Sequence, residues 1–429
     1  MKRLLCMVLS GLMLLSAAAC SAAPQPVEPD NVNTPAEKPD EDPAPAVEIP
    51  EIGGYADFMK TVSASLVNGL QNRNFSPISV YLALAMLTEG AVGETQEELL
   101  KLLGCETVEQ LRGICADMLE TLSIDEENST LDIHNSLWMA KEIGGMPVEF
   151  HEDFLARLAE IHRSEANTVE FGTQSAVKQI SDWITEHTRG KIKISPDALL
   201  FDKGTLAVLI NTIYLKDGWA ETFDEMQTES GVFYGLDEKA QPQEITVDYM
   251  HRFDSNATIT QGDGWLRYRV YLRSVGYVSF VLPDEGISLD HLLGSPDALQ
   301  KLLTDGIDKA CDVSLLLPKF SFQDKMELSD LLRELGLVHC FGNSDFSAMS
   351  DTPCAVDSVL QESYIGVDEY GVEAAAYTMI TMKNTAFNPV QREKIEFHLT
   401  RPFLYSIESR DGTVLFVGTV TAPAASKVG

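Results

Sequence analysis

Apolar side chains recur at helical spacing through the first half of the chain. This spacing predicts an amphipathic helix over 55–72 and further helices over 93–104 and 107–122. The segment NFSPISVYLALAMLTEGA, residues 74–91, is apolar on nearly all sides after a Ser-Pro pair that is typical of a helix start. A helix without a polar face is expected to lie at the centre of the fold.

Strand patterns dominate the second half. Residues 129–140 alternate as a strand, and 207–219 form a continuous apolar run that fits a strand buried on both faces. One more helix is predicted over 327–337. The remaining predicted strands are 267–273, 277–283, 311–322, 397–409 and 412–423. Together these elements predict one mixed α/β domain over about 54–425, with large sheets.

The N-terminus has the pattern of a secretion signal, MKRLLCMVLSGLMLLSAAAC. Two basic residues precede an apolar run that is too short to span a membrane comfortably, which predicts a signal peptide over 1–19. The small residues before Cys20 resemble a bacterial lipobox, so Cys20 is the expected site of lipid attachment. A plain secretory signal with an incidental cysteine is the alternative.

Residues 20–53 begin with this cysteine and continue as a segment rich in Pro, Ala, Asp and Glu. Such a segment buries too little apolar surface to fold, and its prolines and like charges keep it extended. We therefore expect a disordered acidic tether. It would hold an extracellular domain away from the outer face of a bacterial membrane.

Composition narrows the classes of partner. The 429 residues are 45% hydrophobic, which suits a large globular core, and the formal net charge of -33 argues against binding nucleic acid. Five of the seven cysteines lie beyond the signal and the anchor, without a CxxC spacing. We expect free, mostly buried thiols and no metal site.

Catalytic motifs are missing from the sequence. It contains no GxSxG, HExxH or phosphate-loop pattern, and its acidic pairs fall on predicted solvent faces. We therefore expect neither an enzyme nor a cofactor.

Several segments resemble one family, the serpins, in family order over about 350 residues. They are NFSPISVYLALAMLTEGAVGETQEEL, SDWITEHTRGKI, LINTIYLKDGWAETFD, VSLLLPKFSFQDKMELSDLLRELGL, DEYGVEAAA, RPFLYSI and LFVGTVTAP. The resemblance implies an α+β fold with three β-sheets, eight or nine helices and an exposed reactive loop in a single domain. It also implies an irreversible inhibitor of extracellular serine proteases. In that mechanism the protease cuts the loop, and the loop then inserts into the main sheet and distorts the acyl-enzyme.

The reactive loop is expected at about 369–396. The resemblance places its hinge at Glu369, Gly371, Val372, Glu373, Ala374, Ala375 and Ala376. Period-two alternation from Gly371 gives an inward set without charge, and the charged Glu373 and Lys383 fall outward. Small, uncharged inward residues favour insertion.

Family spacing places the bait bond fourteen residues after Gly371, at Thr385-Ala386, with Lys383 and Phe387 as alternatives. Threonine before the cut suits elastase-like or subtilisin-like proteases. The loop beyond Ala386 is a few residues longer than usual, so the cleaved bond stays open between Met382 and Phe387.

The resemblance also marks a polar region where the main sheet opens. Its residues are Asn74, Ser76, Ser79, Asn211, Trp219 and Gln361. Gln361 stands where the family usually has histidine. Glutamine donates and accepts hydrogen bonds without titrating, so this position is predicted to give sheet opening no histidine pH dependence.

Two other functions are the alternatives to an inhibitory serpin. A non-inhibitory serpin would act as a surface binding module, but the small hinge residues argue against it. A solute-binding lipoprotein or hydrolase would suit the tether but lacks a matching motif. The expected protein is a monomer whose partners are a target protease and, through Cys20, a membrane.

Overall fold

The computed structural model describes residues 53–193, 201–295, 297–372 and 392–423. Within these ranges the α-helices are numbered in chain order. They are α1 Gly53–Leu66, α2 Pro77–Thr88, α3 Gly93–Leu102, α4 Val108–Thr121, α5 Glu152–Glu160, α6 Gln174–His187, α7 Leu289–Leu292, α8 Ala298–Thr304 and α9 Ser329–Glu334.

The strands in the same ranges form three sheets. They are β1 Arg73–Phe75, β2 Ile124–Glu126, β3 Ser129–Ala140, β4 Glu142–Ile143, β5 Met146–Pro147, β6 Ser164–Val169, β7 Ala207–Gly218, β8 Glu229–Leu236, β9 Pro242–Gly262, β10 Trp265–Tyr271, β11 Gly276–Pro283, β12 Ile307–Pro318, β13 Phe320–Glu327, β14 Leu360–Val367, β15 Gly371–Val372, β16 Lys394–His398, β17 Phe403–Ser409 and β18 Val414–Val420. Three sheets and nine helices in the described ranges confirm the predicted α+β architecture.

The seven-stranded sheet, called the main sheet below, has the order β13-β14-β15-β7-β3-β2, and β6 pairs with β3. The nine-stranded second sheet has the order β1-β18-β17-β11-β10-β9-β12-β16, and β8 pairs with β9. Strands β4 and β5 form a separate hairpin. The main sheet is therefore built from segments that are far apart in sequence, with the very short β15 inside it.

Helix α2 lies between the two large sheets and contacts both β7 and β18. Ten of its twelve residues are buried, and Ile78, Tyr81 and Leu82 are fully inaccessible. This confirms the predicted central helix. Because α2 is apolar on all sides, only a position covered by both sheets removes its whole surface from water.

Helix α6 covers the outer face of the main sheet over β3 and β7. Trp183 of α6 meets Trp138 of β3 edge to face, with ring centroids 6.5 Å apart. Around this pair a second, smaller apolar cluster forms beyond the main core. The sheet is thus packed against α2 on one face and α6 on the other.

Two predicted strands are each divided in the structure. The predicted strand 311–322 breaks at Lys319, whose N–H donates to the carbonyl of Asp248 at 2.8 Å. The predicted strand 397–409 breaks before Phe403 at Pro402, which has no N–H to continue a ladder. At Lys319 the chain passes from the second sheet into the main sheet, and at Pro402 it changes partners within the second sheet.

Other boundaries differ from the sequence predictions. Helix α1 ends at Leu66 rather than near residue 72. Gly69, beyond its end, lies so close to the chain at Asp290 that a Cβ there would be 2.1 Å from the Asp290 backbone nitrogen. Four elements were not predicted from the sequence: α5, β6, β8 and the 21-residue β9. In β9 the alternation of apolar and polar residues is weak, because much of the strand is exposed on both faces.

Candidate functional site

The predicted hinge begins inside the main sheet, at β15. Val372 pairs with Val367 of β14 on one side and with Asp217 of β7 on the other. Gly371 pairs with Gly218, and a Cβ at position 371 would lie 2.1 Å from the carbonyl oxygen of Asp217. Only glycine allows this close approach of two backbones. Glu373, Ala374, Ala375 and Ala376, with the candidate bonds at Lys383, Thr385, Ala386 and Phe387, lie outside the described residues.

Among the described residues, no strand continues the line of β15 along the main sheet. Both β14 and β7 run antiparallel to β15, so they run parallel to each other. Below Val372, the described pairs join β14 to β13 and β7 to β3, and none joins β14 to β7. We call the space between Leu360–Gly366 and Ala207–Lys216 the insertion gap.

A pocket with about 390 Å³ of empty space, part of it open to solvent, lies at the upper end of the insertion gap. Val372 forms its end, Ile213 and Leu215 line one side, and Ile365 lines the other. The first five residues of β7, which border the gap, are only half-buried. The predicted burial of this strand on both faces is therefore correct only for part of its length.

The backbone just before the hinge is fastened to Trp219, which is fully buried. Its indole Nε1–H donates to the carbonyl of Asp368 at 2.8 Å, and its backbone N–H donates to the carbonyl of Tyr370 at 2.9 Å. Trp219 therefore holds the chain at two backbone carbonyls, through its side chain and its own backbone, at the entrance of the insertion gap.

Glu369 carries a buried charge at this entrance and is 4% exposed. Its carboxylate accepts from Thr228 Oγ1 at 2.7 Å and lies 2.8 Å from Lys319 Nζ. Burial alone would raise the pKa of Glu369, but hydrogen bonds from Lys319 and Thr228 lower it below its usual value. The ion pair joins the hinge to the short link between β12 and β13.

The neighbouring Asp368 behaves differently. Its Oδ1 accepts from the backbone N–H of Tyr370 at 2.9 Å and of Gly371 at 3.3 Å. Burial raises the pKa of Asp368 to about 6. This carboxyl therefore titrates in mildly acidic solution at the base of the hinge.

The predicted sheet-opening residues divide into two groups. Gln361 of β14 accepts from the N–H of Ser76 at 3.0 Å and donates to the carbonyl of Ser76 at 2.7 Å. Ser76 Oγ donates to the carbonyl of Leu415 at 2.9 Å, so β14, the start of α2 and β18 are joined. Asn74 accepts from Tyr405 OH at 2.9 Å, and Ser79 is buried on α2.

Asn211 lies on the opposite side of the insertion gap, on β7. Its Nδ2 donates to Asn135 Oδ1 at 2.8 Å, and Asn135 Nδ2 donates to the carbonyl of His162 at 2.7 Å. The Oδ1 atom of Asn211 is buried and has no hydrogen-bond partner among the described residues. A buried carbonyl oxygen without a donor is costly, so this atom is ready to accept one.

A strap crosses the insertion gap on the outer face. We give this name to residues 188–193, which follow α6. Arg189 donates to Asp132 of β3 at 3.0 Å and lies 5.0 Å above the ring of Tyr214 of β7. On the far side, the carbonyl of Lys191 accepts from Gln323 of β13 at 2.8 Å. The strap is thus attached to both sides of the gap.

Sequence reasoning missed Lys319, Thr228 and the strap as parts of this region. The motifs that contain Lys319 and the strap were recognised, but residue spacing does not show which partner each side chain meets. No group of three His, Cys, Asp or Glu side chains in the described part of the chain is placed to hold a metal ion. Within the same part, no helix is long and apolar enough to cross a membrane.

Gln361 supplies a test of the polar region. Replacing Gln361 by leucine is expected to cost roughly 1–3 kcal/mol of stability. Both hydrogen bonds to Ser76 are lost, and the buried N–H and carbonyl of Ser76 are left unpaired. Replacing it by histidine should add a titration, with stability falling as the pH drops, since a protonated ring cannot accept from the Ser76 N–H. Urea unfolding at pH 5.5 and 7.5 measures both effects. A pH dependence of the wild-type protein that disappears in the leucine variant would contradict the non-titrating role.

Comparisons with known proteins agree with this geometry. A protein-family model for serpins, described as serine protease inhibitors, matches residues 56–423. Serpin-Z1A of Triticum aestivum is 30% identical over 387 residues, covering 85% of this chain and 94% of that protein. A serpin-like protein of Methanosarcina mazei is 26% identical over 371 residues, covering 86% and 85%. The crystal structure of a thermophilic serpin, tengpin, in the native state is 26% identical with a TM-score of 0.73, covering 86% and 94%.

Proposed function

The chain belongs to the serpin family, and on that premise we propose that it traps serine proteases by inserting its cleaved reactive loop into the main sheet. Serpins are in general protease inhibitors rather than enzymes. One observation carries the proposal for this chain. Among the described residues, β15 occupies the first two positions between β14 and β7, and the insertion gap continues its line.

The pairing of β15 fixes the register of an inserted loop. If the antiparallel pairing continues, Ala374 falls between Ile365 and Leu215, both of which are buried. Two residues further on, Ala376 falls between Ser363 and Ile213. Small side chains therefore enter first, where the two flanking strands must separate least.

The same register brings Thr378 between Gln361 and Asn211. The Thr378 hydroxyl then faces the one side chain in the polar region whose buried oxygen has no donor. Insertion would supply that donor. On the outer face, Glu373 falls opposite Lys216 of β7, and such opposite charges on facing strands stabilise pairing.

The free energy available from insertion is large enough to hold a strained protease. About a dozen new strand residues could form on the order of ten ladder hydrogen bonds, each worth roughly 0.5–1.5 kcal/mol net. About 15 residues at ~3.3 Å each span roughly 50 Å, so the protease would be carried from one end of the sheet to the other.

We assign the bait bond to Thr385-Ala386, so that Thr385 is the residue before the cut. Lys383 and Phe387 are the alternatives for that residue. Threonine favours proteases with small apolar pockets, elastase-like or subtilisin-like. The sequence position and the family spacing support this assignment, and the bond lies outside the described residues.

Incubation with elastase-like and subtilisin-like proteases tests the inhibitory function. The expected result is a protease–inhibitor complex that survives SDS, with release of a peptide that begins at Ala386 by mass spectrometry. The cleaved protein should also unfold at a much higher temperature than the intact one. Digestion of the loop without a complex by every protease of the panel would favour a non-inhibitory binding module instead.

We also propose that the protein is a monomeric lipoprotein on the outer face of a bacterial membrane, attached through Cys20 and the tether. The signal-like segment, the small residues before Cys20 and the acidic tether support this. Expressed in a bacterium that processes lipoproteins, the wild-type chain should fractionate with membranes, and Cys20→Ser should release it. Equal release of both chains would remove the anchor from the proposal.

A further inference from the structure

Two histidines meet where α6 ends on the main sheet. The ring centroids of His134 on β3 and His187, the last residue of α6, are 4.4 Å apart. The His187 ring also stacks on Trp183 of the same helix, at 4.1 Å. The strap begins at the next residue, so this contact lies where α6 passes into the segment that crosses the insertion gap.

The two ring nitrogens of His187 have different partners. Nδ1 lies 2.8 Å from the carbonyl of Trp183, so it carries the hydrogen and donates it. The other nitrogen, Nε2, lies 3.5 Å from a carboxylate oxygen of Glu165 on β6. The His187 ring is therefore held in place from both sides, against its own helix and against β6.

His134 is held in a less favourable place for charge. Burial lowers the pKa of His134, and the nearby His187 lowers it further, while Asp132 and Glu165 oppose the shift. Arg189, which pairs with Asp132, adds another positive charge to the same face. Across the strand from His134 lies Thr212, whose buried hydroxyl has no partner among the described residues.

We propose that the contact between His134 and His187 is a pH-sensitive fastening that holds α6 on the main sheet in neutral solution and loosens in acid. A proton added to His134 places positive charge in a half-buried contact with the His187 ring and near Arg189, which disfavours the docked arrangement. The charged groups that face the pair are Asp132 on β3, Glu165 on β6 and Arg189 in the strap. As part of loop insertion, this role rests on the proposed function.

The surroundings of His134 determine whether acid stabilises or destabilises the docked helix. A histidine whose pKa is lowered in the docked state takes up fewer protons there than in the released state. The docked state therefore loses stability as the pH falls through about 6.5, the ordinary value for histidine. Because the strap continues directly from α6, release of the helix should also loosen the strap, so acid should speed insertion of the loop.

Hydrogen–deuterium exchange of the intact protein tests the fastening without any protease. After correction for the intrinsic rate, the peptide that covers 174–187 is expected to exchange about tenfold faster at pH 5.5 than at pH 7.5. His134→Gln and His187→Gln should each remove this difference, because glutamine keeps the polarity and cannot titrate. The matched control is His151→Gln, an exposed histidine beside Asp351, which should behave as wild type.

Asp368 titrates in the same range at the hinge, but its effect should persist in both glutamine variants and lie outside this peptide. Equal protection at both pH values, or a pH difference that survives both substitutions, would overturn the fastening. If protease complexes never form while the exchange result holds, the inhibitory function fails and the pH-sensitive contact stands.

Discussion

Replacing Ala374 by arginine is expected to convert the inhibitor into a substrate, with at least a tenfold fall in the yield of covalent complex. The register of β15 places this side chain between Leu215 and Ile365, which are both buried. An unpaired guanidinium there would cost several kcal/mol, and each 1.4 kcal/mol is a factor of ten. Insertion then becomes slower than deacylation, and the protease escapes after cutting the loop.

The measurement is the number of inhibitor molecules consumed for each protease molecule inactivated. Tyr377→Arg is the matched control, because it adds the same side chain on the outward face, where the register puts it opposite Glu362. Only a mild effect is expected there. If both variants inhibit equally well, the loop does not insert in the register that β15 begins.

Reversing the charge of Glu369 is expected to weaken the attachment of the hinge to Lys319 and Thr228. Glu369→Lys places two ammonium groups at the entrance of the insertion gap and leaves Thr228 without its acceptor. Because the Lys319 side chain is 38% exposed, solvent screens part of the effect. We expect a loss of about 1–3 kcal/mol of native-state stability and faster spontaneous insertion or self-association.

Thermal unfolding and the loss of inhibitory activity during storage at moderate temperature report this change. The double variant Glu369→Lys with Lys319→Glu restores an ion pair with the opposite polarity, and it should recover most of the lost stability. A single variant as long-lived as the wild type would show that the ion pair does not restrain the hinge.

The comparison between sequence and structure is most informative at the hinge. Gly371 and the uncharged inward residues after it could be found from the sequence, because period-two alternation depends only on neighbouring residues. The pairing of Val372 with both β14 and β7 could not be found that way, since those strands lie far apart in the chain. The same limit hid Lys319, which differs from other lysines only by the carboxylate it meets.

Helices and most strands were predictable because periodicity is a local property. The predictions of unbroken strands through Lys319 and Pro402 were wrong for a related reason. An apolar run shows that a segment is buried but not that it changes its partner strand, either within one sheet or between two sheets. The 21-residue β9 was missed because it is largely exposed, so burial leaves a weak pattern in its sequence.

The sequence by itself determined the central helix, the large sheets, the family resemblance and a loop with small, uncharged inward residues. Each of these depends on spacing along the chain. Only the tertiary structure decided that β15 pairs with both β14 and β7, that the strap is attached to both sides of the insertion gap, and that His134 meets His187. Apart from the local pairing of β15 with β14, these contacts join residues 53 to 155 positions apart. They arise from how the sheets and α6 pack, which the order of residues does not display.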